Sequence, residues 1–493
     1  KVSIQKFDPY YSVDAGLLNP GKHGECFVTK DGAETDLDLG HYERFLDIET
    51  TSSCISTSGK IMQKIITAER AGKFGGNEVQ LVPHVTGVIQ DTFEETAREF
   101  DSDIHIVEIG GTVGDFEGVH FIEALREFPS RVGHENCFYT HVVFIPYLVT
   151  SHEFKTKPAQ NSIHDLRTFG IIPNMIVARV DKISQNSIAN KIATFTGVPE
   201  DDVILFPNAE TVYEVPLNAL KGGIMRPLSK LTSDDQAPDM STWQELNRKA
   251  SQKYAKTVSV GLVAKYVSNT DTYISVTEAL KAAAFASNVN LELQWINAET
   301  ATDEDFASVD GLLVPGGFGS RGIEGKIAAA EYALANDKPY LGLCLGLQVA
   351  VIAAARRAGL ARANSEEFDK ETPENVIYIM EGQRGKESTG GTMRLGDYPA
   401  KLTADSHTAL IYGKTDLVER HRHRYEVNQK FLPEIEQGGV VVSGASPDGK
   451  LVEFVEAPKL KFFQATQSHP EFHSRPMRPH PLFFQFIQSL KIT

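Results

Sequence analysis

A cysteine flanked by glycines lies in the C-terminal half of the chain. Cys344 stands between Gly342 and Gly346 in the string GLCLG, after an apolar run typical of a strand and before a run typical of a helix. A nucleophile at such a junction occupies a sharp turn that lifts its side chain clear of the backbone. Because a lone cysteine in an apolar run is usually a buried core residue, this string alone does not establish a nucleophile.

Two residues far downstream supply the groups that a thiol nucleophile needs. His469 and Glu471, in the string HPE, provide a base and a carboxylate. The thiolate is the reactive form of cysteine, so a neighbouring group must take or balance its proton. We therefore predict a catalytic triad of Cys344, His469 and Glu471.

A glycine-rich turn completes this predicted site. The string PGGFG at 315–319 follows an apolar strand, and on its own it is explained equally well as a tight strand exit. Beside a cysteine nucleophile, backbone N–H groups of such a turn stabilise the oxyanion of a tetrahedral intermediate. The predicted donors are the N–H groups of Gly317 and Leu345.

The elements that must position these residues alternate along the chain. Apolar strands and amphipathic helices recur, which predicts parallel sheets covered by helices. Strands are expected at 1–6, 104–109, 141–146, 175–179, 258–263, 291–295 and 312–315, those at 104–109 and 141–146 being buried. A polar, turn-rich composition around 233–238 predicts a linker. We expect two α/β domains, at 1–230 and 257–493, joined by a linker at 231–256.

The bulk composition argues against several classes of function. A chain of 493 residues is too long for one ordinary core, and its 41% hydrophobic and 23% charged residues are typical of soluble proteins. A net charge of -16 argues against nucleic-acid binding and against an anionic membrane surface. No apolar stretch is long enough to span a bilayer. The four cysteines have no CxxC spacing, so they indicate neither disulfides nor a zinc site and favour the cytoplasm.

Three clusters in the N-terminal half have residue types suited to nucleotides. In GAETDLDLGHYER at 32–44, acidic residues two apart would lie on one side of a strand and suit Mg²⁺, although a solvated acidic turn is the alternative. In VEIGGTVGDFE at 107–117, a carboxylate ends a strand and a glycine turn follows, as where a strand-end acid holds a metal. The loop KTKPAQ at 155–160 carries two lysines that either clamp a triphosphate or remain solvated.

The strings PGGFG, GLCLGLQ and HPE together resemble those of class I, triad-type glutamine amidotransferases. The resemblance implies a flavodoxin-like domain that hydrolyses the side-chain amide of glutamine through a cysteinyl thioester and releases ammonia. Cys344 would be the nucleophile, His469 the general base and acid, and Glu471 the residue that orients the imidazole. An arginine suits the carboxylate of glutamine, and a glutamate suits its ammonium group. The residues implied to hold glutamine are Gly317, Leu345, Gln348, Glu367 and Arg424.

Along the whole chain, the N-terminal strings together with GGTMRLG at 390–396 and RHRHRY at 420–425 resemble the CTP synthase family. The resemblance implies a P-loop-like or Rossmann-like amidoligase domain before the glutaminase domain. ATP would phosphorylate O4 of UTP, and ammonia from glutamine would displace the phosphate to give CTP. Asp38 and Glu108 are the implied ligands of Mg²⁺. The residues implied to bind nucleotides are Lys6 and Asp38 with ATP, Asp115, Phe116, Glu117, Lys155, Thr156, Lys157, Pro158, Ala159, Gln160 and Lys191 with the pyrimidine nucleotide, and Pro207, Asn208 and Ala209 beside the adenine.

One motif of that family does not occur in the chain: a glycine-rich phosphate loop with Ser and Lys after the first strand. We expect it to precede Lys1, because the sequence has no initiator Met. The resemblance further implies a homotetramer, filament formation, GTP as activator and CTP as feedback inhibitor. Two alternatives stay open. One is another glutamine-dependent enzyme, which aminates a purine nucleotide; the other is a catalytically silent filament or regulatory subunit.

Overall fold

The computed structural model describes residues 1–182, 187–232, 236–380, 382–386 and 390–491. Its internal packing divides the chain into two units. Unit 1 comprises Lys1–Val13 and Ser53–Gln252, and unit 2 comprises Asp14–Ser52 and Lys253–Thr493. An early segment of the chain, residues 14–52, therefore packs with the C-terminal half.

The strands and helices alternate through most of the chain. The strands are β1 Val2–Asp8, β2 Phe27–Val28, β3 Glu34–Thr35, β4 Ile55–Thr57, β5 Ile104–Ile109, β6 Thr140–Ile145, β7 Tyr147–Leu148, β8 Glu153–Phe154, β9 Met175–Val180, β10 Val203–Pro207, β11 Thr257–Ala264, β12 Asn290–Asn297, β13 Gly311–Val314, β14 Tyr340–Leu343, β15 Asn364–Ser365, β16 Asn375–Ile379, β17 Arg394–Leu402, β18 Asp416–His423, β19 Tyr425–Val427, β20 Val441–Ala445, β21 Val452–Glu456 and β22 Phe463–Thr466. The helices are α1 Pro20–His23, α2 Asp38–Leu46, α3 Ser58–Arg70, α4 Thr86–Glu99, α5 Val119–Glu127, α6 Pro129–Val132, α7 Lys157–Thr168, α8 Ser187–Thr196, α9 Val215–Lys221, α10 Met225–Thr232, α11 Ser241–Ser251, α12 Ile274–Ser287, α13 Asp303–Ala307, α14 Ile323–Asn336, α15 Leu345–Arg357, α16 His407–Tyr412, α17 Leu432–Gln437 and α18 Pro481–Leu490. Within the described ranges, no helix is long and apolar enough to cross a membrane.

A nine-stranded sheet forms the centre of unit 2, in the order β12-β11-β13-β14-β22-β21-β20-β17-β18. Its strands pair in parallel from β12 to β22 and antiparallel from β22 to β18. Successive side chains of β13 point to opposite faces of the sheet. Leu312 belongs to a buried cluster with Ile327 of α14, and Leu313 belongs to another with Leu280 of α12 and Phe483 of α18. Helices therefore cover both faces, and strands β13 and β14 are buried throughout.

Unit 1 contains two three-stranded parallel sheets, β4-β1-β5 and β10-β9-β6. In the first, Phe7 of β1 packs edge-on against Phe93 of α4 and Phe121 of α5, with ring centroids 5.0 and 5.2 Å apart. In the second, Ile176 of β9 shares a buried cluster with Ile163 of α7. The carboxyl ends of parallel strands are the usual place for ligands in such sheets.

The prediction of α/β architecture with parallel sheets flanked by helices is confirmed. Strands form at 104–109 as predicted and at 140–145, one residue before the predicted 141–146, but the prediction that both are buried is wrong. Alternate side chains of β6 face solvent, since Val142 is 58% and Phe144 51% exposed, and Ile106 of β5 is also exposed. The predicted linker includes residues 233–235, which lie outside the described residues, and the domain boundaries stay a prediction.

Two local predictions in the N-terminal half are wrong. The acidic string at 32–44 does not continue as a strand, because β3 ends at Thr35 and α2 begins at Asp38. The buried residues of α2 recur at helical spacing, with Leu39 and Glu43 facing inward. The string at 155–160 is a loop only as far as Thr156. It then enters α7, whose first turn contains a proline, the residue best tolerated there.

Candidate active site

Cys344 occupies the strained turn that the sequence predicted between β14 and α15. Its φ is 51° and its ψ is -101°, backbone values that a residue other than glycine rarely adopts. The flanking glycines are needed for space. A Cβ at Gly346 would lie 2.2 Å from the Val314 carbonyl oxygen, and one at Gly342 would lie 2.7 Å from the Gly346 backbone. Close packing behind the turn therefore sets the direction of the thiol.

His469 and Glu471 form a hydrogen-bonded pair beside this thiol. Nδ1 of His469 is 2.7 Å from Oε1 of Glu471, and both side chains are buried. Burial lowers the pKa of His469, but the charges of Glu471 and Cys344 and the hydrogen bond to Glu471 outweigh it and raise this pKa to about 10. The imidazole therefore holds a proton at neutral pH. Besides Glu471, the His469 ring interacts with the thiol of Cys344, and a hydrogen bond between them contributes to the raised pKa.

The glycine turn at 315–319 runs directly past the same pair. A Cβ at Gly316 would lie 2.9 Å from Cε1 of His469 and 3.6 Å from Cβ of Cys344, so only glycine fits there. Among the described residues, the N–H groups of Gly317 and Leu345 donate to no other group. Leu345 also begins α15, and the start of a helix favours negative charge. Both N–H groups are therefore available to an oxyanion.

A cavity of about 570 Å³ opens beside the turn within unit 2. A space of this size accommodates a small molecule. Five residues of the predicted glutaminase site line it, namely Gly317, Glu367, Arg424, His469 and Glu471. The structure therefore brings together residues that lie up to 154 positions apart in the sequence.

The predicted glutamine-binding side chains already have partners. Oε1 of Glu367 accepts a hydrogen bond of 2.7 Å from the Gly319 N–H, and burial keeps the pKa of this carboxyl above its usual value. Nη1 of Arg424 donates to the Lys386 carbonyl at 2.8 Å. Gln348 is buried outside the cavity lining, and its amide donates to the Tyr425 carbonyl at 3.2 Å. Glu367 and Arg424 line the cavity and can contact a ligand in it. Gln348 lies behind the lining and bonds to Tyr425, which is a lining residue.

Part of the cavity wall comes from residues 14–52, which the sequence did not indicate. Leu17, Glu25 and Cys26 all line the cavity. The Ser275 N–H donates to Glu25 at 3.1 Å across 250 positions of sequence, a tertiary contact for which no local pattern exists. Burial raises the pKa of Glu25 to about 7, against the lowering effect of Arg44. Burial also raises the pKa of Cys26 to about 12, so this thiol stays protonated.

The predicted nucleotide residues of unit 1 begin with a charged cluster at strand ends. Lys6 of β1 is paired in register with Glu108 of β5. Nζ of Lys6 lies 3.3 Å from Oε1 of Glu108 and 3.7 Å from Oδ1 of Asp8. Lys6 is buried, whereas the side chain of Glu108 is 46% exposed, so its carboxylate is accessible to a cation. Asp38, the other implied metal ligand, is the first residue of α2 and belongs to unit 2.

The remaining predicted nucleotide residues follow strand ends in unit 1, except Lys191 in α8. Residues 115–117 come after β5, and Phe116 is 93% exposed. Lys155 forms an ion pair with Glu153, and Thr156 is buried before α7. The segment 207–209 ends β10, where the Asn208 N–H donates to the Val180 carbonyl at 3.0 Å. Residues 115–117 and 207–209 thus follow strands of the two parallel sheets, at the edge where such sheets bind ligands, whereas residues 155–160 follow the antiparallel pair β7–β8.

Known proteins match both halves of the chain. A model of the N-terminal region of CTP synthase matches residues 1–232, and a model of class I glutamine amidotransferases matches residues 269–489. A CTP synthase from Lactiplantibacillus plantarum is 48% identical, with coverage of 100% of this chain and 93% of that protein. A CTP synthase from Gloeothece citriformis is 46% identical, with coverage of 99% and 88%. The glutaminase domain of Trypanosoma brucei CTPS with bound acivicin is 39% identical over 48% of this chain and 94% of that domain, with a TM-score of 0.45.

The site and the matches together establish the family of the C-terminal half and of the whole chain. Its C-terminal half is a class I glutamine amidotransferase domain, as the elbow, the His469–Glu471 pair and the matched model agree. The whole chain belongs to the CTP synthase family, because the matches cover nearly all of it at close to half identity.

Proposed function

We propose that this chain makes CTP from UTP with ATP and with ammonia that it releases from glutamine. The observation that carries the proposal is the glutaminase constellation: Cys344 on a strained elbow, the hydrogen-bonded His469–Glu471 pair, and the N–H groups of Gly317 and Leu345, which donate to no other group among the described residues. Such a constellation needs an acceptor for its ammonia. Family membership of residues 1–232 identifies that acceptor as UTP.

In the glutaminase half, the sulfur of Cys344 attacks the carboxamide carbon of glutamine. The N–H groups of Gly317 and Leu345 stabilise the oxyanion that forms. His469 gives its proton to the departing nitrogen, so the C–N bond breaks and ammonia and a thioester result. His469 then takes a proton from water, which cleaves the thioester to glutamate and restores the thiol. Glu367 holds the ammonium group of glutamine and Arg424 its carboxylate.

In the amidoligase half, Lys6 binds the phosphates of ATP. Glu108 and Asp38 hold Mg²⁺, since carboxylate oxygens are ligands that this cation prefers and Glu108 is accessible at its strand end. When bound, Mg²⁺ neutralises charge on the phosphates during phosphoryl transfer. The pyrimidine nucleotide site consists of residues 115–117, residues 155–160 and Lys191. The adenine lies beside residues 207–209.

The remaining expectations complete the proposal. The domain boundaries are 1–230 and 257–493, with the linker between them. The enzyme works in the cytoplasm as a homotetramer that forms filaments, with GTP as activator and CTP as feedback inhibitor. None of these depends on the details of the glutaminase chemistry.

Two substitutions test the separate roles of the glutaminase half and the amidoligase half. With ATP, UTP, Mg²⁺ and glutamine, the full protein should form CTP, followed as rising absorbance. Cys344→Ala should abolish glutamine-dependent CTP formation and leave ammonia-dependent formation intact. Lys6→Met should lower CTP formation both from glutamine and from free ammonia, while glutamine hydrolysis continues. Glutamine use by Cys344→Ala would overturn the triad, and full CTP synthesis by Lys6→Met would overturn the ATP site.

A further inference from the structure

A completely buried lysine lies directly behind the glycine turn. Lys326, in the first turn of α14, has no exposed surface. Its Nζ donates to the Pro315 carbonyl at 2.8 Å and lies 3.5 Å from the Gly316 carbonyl. In the described part of the chain no carboxylate lies within ion-pair distance of it. Lysine is almost never fully buried without such a partner, so this one requires an explanation.

Packing does not supply that explanation. The buried neighbours of Lys326 on α14 are apolar, namely Ile327, Ala329 and Ala330, and an apolar chain of similar length would fill the same space. Burial lowers the pKa of Lys326 well below its usual value, which shows that the site disfavours the charge. The amino group must therefore serve as a hydrogen-bond donor to the turn, because those are its contacts.

The turn needs such a donor because it does not hold itself in place. Residues 315–318 belong to no helix or strand, and two of them are glycines, which have the widest backbone freedom. Among the described residues, no backbone–backbone hydrogen bond outside the sheet fixes this stretch. Its carbonyl groups are held by lysines instead: Lys326 reaches Pro315 and Gly316, and Nζ of Lys265 donates to Phe318 at 3.0 Å and to Gly319.

The geometry of one peptide links this contact to the reaction. In a trans peptide the carbonyl and the N–H point in opposite directions. A Gly316 carbonyl directed towards Lys326 therefore directs the Gly317 N–H away from α14. The turn borders the catalytic pair, since a Cβ at Gly316 would lie 2.9 Å from the His469 ring and 3.6 Å from Cβ of Cys344. A peptide rotated by half a turn would present an oxygen to the oxyanion instead of a donor, which would be repulsive.

We propose that Lys326 is a positioning residue of the glutaminase. It holds the carbonyls of Pro315 and Gly316 so that the Gly317 N–H is fixed towards the tetrahedral intermediate formed on Cys344. The proposal rests on the proposed function, in which Cys344 is the nucleophile and Gly317 an oxyanion donor. Lys326 touches neither the substrate nor the sulfur, so it acts on the reaction through the turn.

The matched pair of variants is Lys326→Met and Lys338→Met. Lys338 lies just after α14, and its Nζ donates to the Val309 carbonyl at 2.5 Å, before β13 begins. Each lysine thus secures the backbone at one end of β13, Lys338 at its entry and Lys326 at its exit to the turn. Both variants lose a lysine-to-carbonyl bond and keep an apolar stem. Only Lys326→Met should disturb the oxyanion site.

We expect Lys326→Met to lower kcat for glutamine hydrolysis by about 10- to 100-fold, because one oxyanion donor is worth about 10²–10³ in kcat. KM should change by less than about threefold, since ground-state binding is retained. Alkylation of Cys344 by iodoacetamide, which needs no oxyanion site, should keep its rate, and so should CTP formation from free ammonia. Lys338→Met should match the wild type in all four measurements.

A second variant and a second probe keep the inference testable if Lys326→Met does not fold. Lys326→Gln retains an N–H donor, so its kcat should be higher than that of Lys326→Met. If Lys326→Met does not fold, the kcat of Lys326→Gln should be at least one-tenth of the wild-type value. Glutamate γ-semialdehyde, which forms a tetrahedral adduct with the thiol, should bind more weakly to either Lys326 variant, while glutamate binds equally well.

The possible results distinguish a failure of the Lys326 proposal from a failure of the proposed function. Glutamine hydrolysis that survives Cys344→Ala would overturn the proposed function and this inference with it. Hydrolysis that depends on Cys344 but keeps its kcat in Lys326→Met would overturn this inference alone. A rise in KM with unchanged kcat, or a parallel loss of iodoacetamide reactivity, would also overturn it, because either would show general damage to the site.

Discussion

Replacing Gly346 by alanine tests whether close packing behind Cys344 sets the direction of the thiol. The new Cβ would lie 2.2 Å from the Val314 carbonyl oxygen, whereas nonbonded heavy atoms prefer about 3.5 Å or more. The start of α15 would therefore have to move away from β13 by about 1 Å. A displacement of that size at a reacting group lowers the rate by about 10²-fold. Overpacking of this kind also lowers the free energy of unfolding by about 1–3 kcal/mol.

Gly438→Ala is the matched control, because Gly438 follows α17 and packs against the opposite end of α15. Its Cβ would lie 2.0 Å from the carbonyl oxygen of Ala354, near the end of α15 that is remote from Cys344. Urea unfolding should show comparable destabilisation in both variants. In a glutamine hydrolysis assay, only Gly346→Ala should lose about 10²-fold in kcat. Iodoacetamide labelling of Cys344 should also slow only in that variant, since the thiol is displaced.

Two results would refute this reasoning. If Gly346→Ala were destabilised but kept its kcat, the direction of the thiol would not depend on the packing of Gly346 against Val314. If both variants lost kcat equally, the loss would come from general destabilisation of α15 rather than from the elbow.

Two further predictions concern charge. Glu471→Gln removes a charge that raises the pKa of His469 to about 10, so the proton should be lost at lower pH. The alkaline limb of the kcat profile for glutamine hydrolysis should move down, and kcat should fall by about 10²–10⁴-fold. In the wild type the folded-state pKa of His469 lies above the ordinary 6.5. The protonated imidazole therefore stabilises the fold fully below pH 6.5, and this stabilisation is lost as the pH rises towards 10. A Glu471→Gln variant whose free energy of unfolding kept the wild-type pH dependence would contradict this. Arg420→Met removes a fully buried guanidinium whose Nη1 lies 3.3 Å from Glu43, and urea unfolding should show a loss of about 3–5 kcal/mol. Arg478→Met, which breaks an exposed pair with Asp47, should change stability by less than about 1 kcal/mol, and equal losses would refute the role of burial.

The sequence was most informative where function demands unusual local structure. Gly342 and Gly346 predicted the elbow because only glycine permits the close approaches that the structure shows. Hydrophobic alternation predicted the strands, but it could not show that one face of β6 is exposed, because Val142 and Phe144 are as apolar as core residues. The helix beginning at Asp38 was missed because the acidic residues masked a helical pattern of buried positions.

Contacts between distant segments were the main thing that the sequence could not reveal. Lys326 and Gln467 carry no local motif, yet each lies beside the glutaminase site. Their places follow from the pairing of β13, β14 and β22, which brings the turn, the elbow and the segment before His469 to one edge of the sheet. Pairing partners in a parallel sheet depend on the whole topology, so a pattern within one segment does not specify them.

Residues 14–52 precede the amidoligase strands β4–β10 in the sequence, but they pack with the C-terminal half of the chain. Glu43 lies between two buried arginines, with Oε2 2.9 Å from Nη2 of Arg475 and Oε1 3.3 Å from Nη1 of Arg420. Glu34 likewise accepts from Nε of Arg422 at 2.8 Å. A charge left buried without its partner is strongly destabilising. A cut at residue 257 would therefore leave three arginines of the glutaminase half without these carboxylates. The segment that neutralises them also supplies Leu17, Glu25 and Cys26 to the cavity, so removing it would take away part of the cavity wall together with these carboxylates.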